Sequence, residues 1–300
     1  MKLYVLNCFI CGSNQLRKMK GYEKDHLVTC QQCSFVFSNV KPSQDELHDV
    51  YSRYSREVTR TETTLKKMRL VALELKNLSK AKRVLDIGCG DGEFLKIFKD
   101  MGCEVFGTEY DPIAEDICRN KGIAMLGGGL MPSVDGSKQL EQFDLVVLTE
   151  VIEHVNNPID VIENFSQFLK KDGLLYLTTP NFSSLERRIL RGQWGILCYP
   201  EHISYYSPRT LNAILRRCGY EKVTLRTENI SVFRIIQFLN RQKVSAGSIS
   251  NRNPELVAAA AQTAVNNSRL LLFAKKIVNV ILNITNTGTS LIAVYRKVGI

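Results

Sequence analysis

Between Arg83 and Phe98 the chain passes from an apolar run, Arg83-Val84-Leu85, through Asp86-Ile87-Gly88-Cys89-Gly90-Asp91-Gly92 into a helical pattern, Glu93-Phe94-Leu95-Lys96-Ile97-Phe98. A strand that turns on glycines into a helix brings backbone close to a ligand at the helix N-terminus. Strands and helices alternate on either side of this turn. Strands are expected at 103–108, near Ile123, at 143–148 and at 174–178, and helices at 112–121 and 158–170. Such alternation predicts an α/β fold with a mostly parallel sheet covered by helices on both faces. Ligands in sheets of this kind bind beyond the carboxyl ends of the strands.

Side chains then select the ligand. A dinucleotide fingerprint would place a third glycine at position 93 and leave the turn open to a pyrophosphate. Position 93 is Glu, and Asp86, Asp91 and Glu93 surround the turn with carboxylates. These repel a pyrophosphate but accept a ligand that carries an ammonium and a sulfonium. Asp86, Gly88, Gly90 and Gly92 are therefore expected to hold S-adenosylmethionine. Glu109, about twenty positions beyond the turn, is placed to accept both hydroxyls of a ribose.

Further stretches extend the pattern: Gly107-Thr108-Glu109-Tyr110-Asp111-Pro112, Phe143 to Val147 running into Glu150-Val151-Ile152-Glu153-His154-Val155, Gly173 to Asn181, and His202-Ile203-Ser204-Tyr205-Tyr206-Ser207. Together with the glycine turn they resemble the class I S-adenosylmethionine-dependent methyltransferases. Within these the chain looks like the bacterial branch that modifies sugars, glycans and small metabolites, near the ubiquinone-type O-methyltransferases. The resemblance implies a Rossmann-like seven-stranded sheet whose last strand is antiparallel, and implies that Glu150 to His154 border the cofactor and the substrate entrance. One departure is Gly127-Gly128-Gly129, where the family often has an acid that contacts adenine, so no adenine ligand is assigned there.

The first forty residues differ in kind. Cys8-x2-Cys11 and Cys30-x2-Cys33, with 18 residues between the pairs, have the spacing of a closed four-thiolate site, which suits structural Zn2+. The other five cysteines are scattered and read as small buried hydrophobes. The sequence shows neither a secretory leader pattern nor eighteen consecutive apolar residues, so a cytoplasmic protein is expected, with contact to the inner membrane surface as an option.

The expected organisation is a zinc ribbon over 1–40, a linker and lead-in helices over 41–80, a cofactor-binding methyltransferase domain over 81–230, a helical insertion over 231–288 and a closing strand within 289–300. In the insertion, Ser/Gly/Asn-rich turns near 245–254 precede an alanine-rich helix from Pro254 and an apolar helix at 268–284 with a polar stripe of Lys276, Asn279, Asn283 and Asn286. It is expected to act as a lid, a homodimer element or a membrane-surface element.

A sulfonium is already an activated electrophile, so the tasks left are to align a nucleophile and to exclude water. A hydroxyl nucleophile also gains from a general base, and His is the usual choice near neutral pH. Of the four histidines, His26 lies in the ribbon and His48 after the linker, whereas His154 and His202 lie past strand ends. His202, in a segment whose Trp194, Tyr199, Tyr205 and Tyr206 are expected to wall a pocket, is the first candidate for base or substrate donor. His154 is the second, and Glu150 completes both the catalytic and the cofactor-binding sets.

Charge is uneven. After Asn181 there are 17 Lys or Arg against 5 Asp or Glu, a net +12; with +10 overall, the first 181 residues carry −2. That asymmetry favours a phosphate-bearing substrate, an anionic membrane surface or nucleic acid. The expected function is O-methylation of a sugar, a glycan or a lipid-linked or nucleotide-linked intermediate. An RNA methyltransferase using the ribbon and the basic part is the alternative, weakened by the lack of an RNA-stacking signature. A non-catalytic cofactor-binding scaffold is the third option.

Overall fold

The computed structural model describes residues 3–51, 60–127, 129, 142–244 and 269–299. The turns expected near 245–254 and the alanine-rich helix from Pro254 lie outside these residues.

At the N-terminus β1 (Leu3–Tyr4) pairs antiparallel with β5 (Val40–Lys41), and β2 (Leu16–Lys18), β3 (Leu27–Cys30) and β4 (Val36–Ser38) form an antiparallel meander. Strand β3 does not begin until Leu27. A 3-10 turn at Glu23–Asp25, closed by His26 at φ 53°, delays it to Leu27. Helix α1 (Gln44–Tyr51) and helix α2 (Glu62–Ser79) lead to the large sheet.

That sheet follows the alternation in the sequence. Its parallel strands are β6 (Arg83–Ile87), β7 (Glu104–Thr108), β8 (Ala124–Met125), β9 (Phe143–Thr149) and β10 (Leu169–Pro180), linked by α3 (Glu93–Asp100), α4 (Pro112–Asn120) and α5 (Pro158–Ser166). After α6 (Leu185–Leu190), β11 (Ser204–Tyr205) and α7 (Pro208–Arg217), the sheet is completed by β12 (Tyr220–Glu228) and β13 (Ser290–Lys297). The order is β12-β13-β10-β9-β6-β7-β8, and β13 runs antiparallel to both β10 and β12. Leu145 to Leu148 of β9 are all fully buried, as a central strand covered on both faces requires. Asp111 caps α4 ahead of Pro112, and a Ser207–Thr210 capping box opens α7.

Helix α5 stops at Ser166, short of the Lys170 expected from periodicity. Ser166 turns its hydroxyl back to Ile162 O and meets Tyr220 OH at 2.7 Å, and Leu169 is already paired with Phe143. A register shift then separates Leu169 from the regular pairing at Leu174.

Two findings about the periphery matter for function. First, β11 pairs with β4, so the four-stranded sheet β11-β4-β3-β2 joins the N-terminal ribbon to the segment that follows His202. Second, the insertion supplies α8 (Val232–Val244) and α9 (Arg269–Ile284). Two members of the polar stripe, Asn279 and Asn283, bond to the end of β12 and the residue beyond it: Asn283 accepts from Thr227 N at 3.0 Å and Asn279 from Asn229 N at 3.1 Å. Ile277, Val280, Ile281 and Ile284 are the exposed side, the reverse of a helix that turns a polar stripe outward. No helix among the described residues is long and apolar enough to cross a membrane.

Candidate active site

Strand β6 ends at Asp86 and Ile87, and the chain then turns on three glycines with φ of +71° (Gly88), +57° (Gly90) and +72° (Gly92). Only glycine takes such values without cost, but the three serve different ends. A Cβ on Gly88 would lie 2.8 Å from Val151 Cγ2, so this glycine lets the turn abut the loop after β9. A Cβ on Gly92 would lie 2.5 Å from Ile123 Cδ1 and 2.8 Å from Cys118 Sγ. Gly92 therefore packs α3 onto the interior and offers no face to a ligand. At Gly90 a Cβ would meet nothing within 4 Å; the open cradle is there.

The carboxylates are also divided. Asp91 is held by the Arg60 guanidinium, and Glu93 by Lys121 at 3.3 Å. Both are neutralised on the outer side of the turn, so the expected ring of three carboxylates reduces to Asp86. Asp86 is 2% exposed and its Oδ1 has no hydrogen-bond partner. Burial, then the nearby Cys118 thiol and Glu109, push its carboxyl well above the usual range. An orphaned buried acceptor of this kind calls for a cationic or donor group from a ligand. Glu109 is fixed by three backbone donors, Gly90 N at 2.8 Å, Tyr110 N at 2.8 Å and Asp111 N at 3.1 Å. Its carboxylate is thereby aimed across the cradle. Open space beside the Gly90 Cα, an unpaired buried acid and an oriented carboxylate fit S-adenosylmethionine.

Across the cradle, Glu150 sits at φ 54° directly after β9, and its carboxylate accepts from Thr178 Oγ1 at 2.7 Å. Glu153 is buried at 1% exposure; one oxygen accepts from Thr179 Oγ1 at 2.9 Å and the other has no partner. Burial first, and the Glu150 charge second, raise its carboxyl well above the ordinary value. The sequence reading passed over Glu153, whose burial no local pattern reveals.

His154 and His202 lie 48 positions apart in the chain yet meet edge to face, with ring centroids 4.7 Å apart. His154 Nδ1 lies 3.1 Å from Glu201 O, and His202 Nδ1 lies 2.8 Å from Ile196 O. A ring nitrogen facing a carbonyl carries the proton, which leaves each Nε2 as the basic atom. Burial and the neighbouring His202 lower the His154 pKa to about 4. His202 keeps 13% of its side chain exposed and has Glu201 Oε1 3.9 Å from its Nε2. Ligand atoms of Glu153, His154 and His202 all lie within 4.8 Å of one another.

One expectation about the surroundings is corrected. Trp194, Tyr205 and Tyr206 are buried, in packing that faces the ribbon, and do not wall an open pocket. Asn181, at a strand end, is also buried: its amide donates to Gly288 O at 2.7 Å and Asn286 O at 3.1 Å and accepts from Ser183 N at 2.9 Å. Its bonding capacity closes the loop before β13.

The four ribbon cysteines converge. Cys8 and Cys33 sulfurs are 3.4 Å apart, Cys11 and Cys30 are 3.5 Å apart, and all four lie within 4.8 Å of one another without a disulfide. Each pair forms a knuckle, closed by Gly12 N to Cys8 O at 2.8 Å and by Ser34 N to Cys30 O at 2.9 Å. A tetrahedral thiolate shell around zinc needs sulfurs roughly 3.8 Å apart, given Zn–S near 2.3 Å. The donor set fits that ion.

Comparison with known proteins agrees with this geometry. A family model described as a methyltransferase domain matches residues 51–225. The mitochondrial ubiquinone biosynthesis O-methyltransferase of Schizosaccharomyces pombe is 32% identical over 117 residues, covering 37% of this chain and 43% of that protein. The ubiquinone biosynthesis O-methyltransferase of Glaesserella parasuis is 33% identical over 108 residues, covering 33% of this chain and 46% of that protein. The chain thus spans under half the length of these two relatives. A solved S-adenosylmethionine-dependent methyltransferase from Archaeoglobus fulgidus shares the fold, with a TM-score of 0.51 at 19% identity, covering 85% of this chain and all of that one. The chain belongs to the methyltransferase domain family.

Proposed function

We propose that this protein transfers a methyl group from S-adenosylmethionine to a hydroxyl of a small-molecule, glycan or lipid-linked acceptor. The observation that carries it is a glycine turn that abuts, at Val151, the loop bringing His154 edge to face against His202. In this reading Asp86 and Glu109 hold the donor, with Glu150 beside them, and Gly88 lets the turn close on Val151. Bound donor supplies an activated methyl. The chain's own residues then orient the acceptor and take its proton.

His202 is the better base. A base works best with a pKa near the working pH, and burial takes His154 down to about 4. His154 then serves as a neutral neighbour that fixes the His202 ring edge-on. The names of the curated relatives favour oxygen as the methylated atom, and nothing in them favours a glycan over another hydroxyl compound. In the four-cysteine ribbon we assign a structural zinc, because its closed sulfur shell leaves no position for chemistry.

Calorimetry with S-adenosylhomocysteine on zinc-loaded protein, followed by transfer of radiolabelled methyl to fractionated small molecules, lipids and glycans, tests this reading. Binding with labelling of one fraction is expected, with a loss of about a hundredfold or more in single-turnover rate for His202→Ala. No heat with the product nucleoside would end the proposal.

A further inference from the structure

Ribbon and acceptor-side segment share one sheet and one core. Strand β4 pairs with β11 through Phe37–Ser204 and Val36–Tyr205, and Ser38 N donates to Ile203 O at 2.8 Å. His202 immediately precedes those pairs. Upstream, Asp25 accepts from Tyr199 N at 3.1 Å, and the His26 ring meets Tyr199 edge-on at 5.0 Å. Arg187 donates to Tyr22 OH at 3.3 Å, and Gly192 lies so close to the Gly21 carbonyl that any Cβ there would collide with it. Trp194, 1% exposed, is buried among Tyr22, Leu27, Val36, Phe182 and Tyr205. The backbone on both sides of His202 is thus gripped by the ribbon. The glycine turn takes its hydrogen bonds from other groups, Thr108, Glu109, Arg60 and Lys121, although Leu85 and Ile87 of β6 share an apolar core with Phe35 and Phe37 of the ribbon.

A ribbon of about forty residues, with strands of two to four residues, cannot bury enough surface to hold its shape alone. Small units of this size fold on their metal. We propose that the metal in the four-cysteine site is a positioning device for the acceptor side of the active site. By folding the ribbon it fixes residues 194–205, and His202 with them, while the cofactor turn keeps hydrogen bonds of its own. This rests on the zinc and methyl-transfer readings above and adds a consequence neither contains: metal loss disables the acceptor half and spares the donor half. A ribbon that served only as a separate recognition module would leave the acceptor half unmoved.

Trp194 is the only tryptophan in the chain, so it reports on this joint without labelling. Full-length zinc-loaded protein is stripped with a chelator and followed by three measurements: acrylamide quenching of Trp194, hydrogen exchange of peptides covering 194–205, and calorimetry with S-adenosylhomocysteine. Stripping is expected to raise quenching severalfold, to speed exchange in 194–205 by about tenfold or more, and to leave nucleoside affinity within about threefold. Adding zinc back restores the first two.

Asp25→Ala provides a second route that leaves every cysteine in place. It should keep the zinc content and the nucleoside affinity while exchange at Tyr199 accelerates. Trp194 that ignores metal removal would overturn the proposal. So would nucleoside binding that disappears in step with Trp194 exposure, or purified protein that holds no metal. If zinc-loaded protein never binds the nucleoside, the methyl-transfer reading fails, and the Trp194 response still judges the coupling.

Discussion

Replacing His154 with Asn should flatten the acid side of the stability profile. His154 has a pKa of about 4 in the folded chain, against about 6.5 for an unperturbed imidazole. The native value is the lower one, so as pH falls the unfolded chain takes up this proton first. Stability from keeping His154 neutral is complete above about pH 6.5, erodes below it, and is gone near pH 4. Between about pH 8 and pH 5 the wild type should lose roughly 2 kcal/mol through this group alone. Asn is the right replacement because its amide can donate to Glu201 O in place of Nδ1. Asp86 and Glu153 act with the opposite sign, since burial raises their carboxyls and lowering the pH favours the native state. Both are present in each protein and cancel in the difference. Urea unfolding of wild type and variant at several pH values, with zinc present and m-values compared, gives that difference directly. Parallel curves within about 0.5 kcal/mol would show that His154 is not a buried neutral group, and would reopen the choice of base.

Other substitutions separate donor binding from packing. Glu109→Gln should weaken S-adenosylhomocysteine binding by about ten- to a hundredfold, the scale of a lost charge-assisted hydrogen bond, read by calorimetry. Gly92→Ala should lower stability by about 2–4 kcal/mol, from left-handed backbone plus overlap with Ile123 and Cys118; a variant of normal stability with weakened donor binding would contradict the packing role. Glu186 is fully buried and accepts from Ser231 N, Thr289 Oγ1 and Arg234. Glu186→Ala should cost about 2–3 kcal/mol and speed exchange in Val232–Val244 ahead of the sheet, seen by mass spectrometry.

The donor half was legible because its signals are local. A glycine turn, a spaced acid and an alternating hydrophobic pattern each report on residues close in sequence, and the seven-stranded sheet follows them strand by strand. What failed there was charge assignment. Asp91 and Glu93 look free in the sequence because their partners, Arg60 and Lys121, lie 31 and 28 positions away. The acceptor half was legible only in composition. His154 and His202 were separate candidates, and their meeting depends on a return of the chain that no periodicity encodes. Trp194, Tyr205 and Tyr206 promised a pocket wall, yet aromatic residues bury readily against any apolar surface, and here the ribbon provides one. Strand β11 is two residues long, too short for alternation to mark it.

The basic C-terminal half shows how far a net charge is from a surface charge. Among the described residues, six of the cations after Asn181 are bound within the fold. Arg187 donates to Phe182 O at 2.6 Å and lies over the Phe182 ring at 4.5 Å; Arg217 donates to Ile10 O. Lys297 caps α5 through Ser166 O at 2.7 Å and Leu169 O at 2.9 Å, and Arg296 donates to Asp172 O at 3.1 Å. Arg226 pairs with Glu228 at 3.0 Å and Arg234 with Glu186 at 3.3 Å. Four of these six neutralise no acid. They donate to carbonyls at strand ends, helix ends and loops, where an apolar side chain would leave the oxygen unpaired. An excess of cations without matching anions is what such use produces, so the +12 does not by itself call for a polyanionic partner.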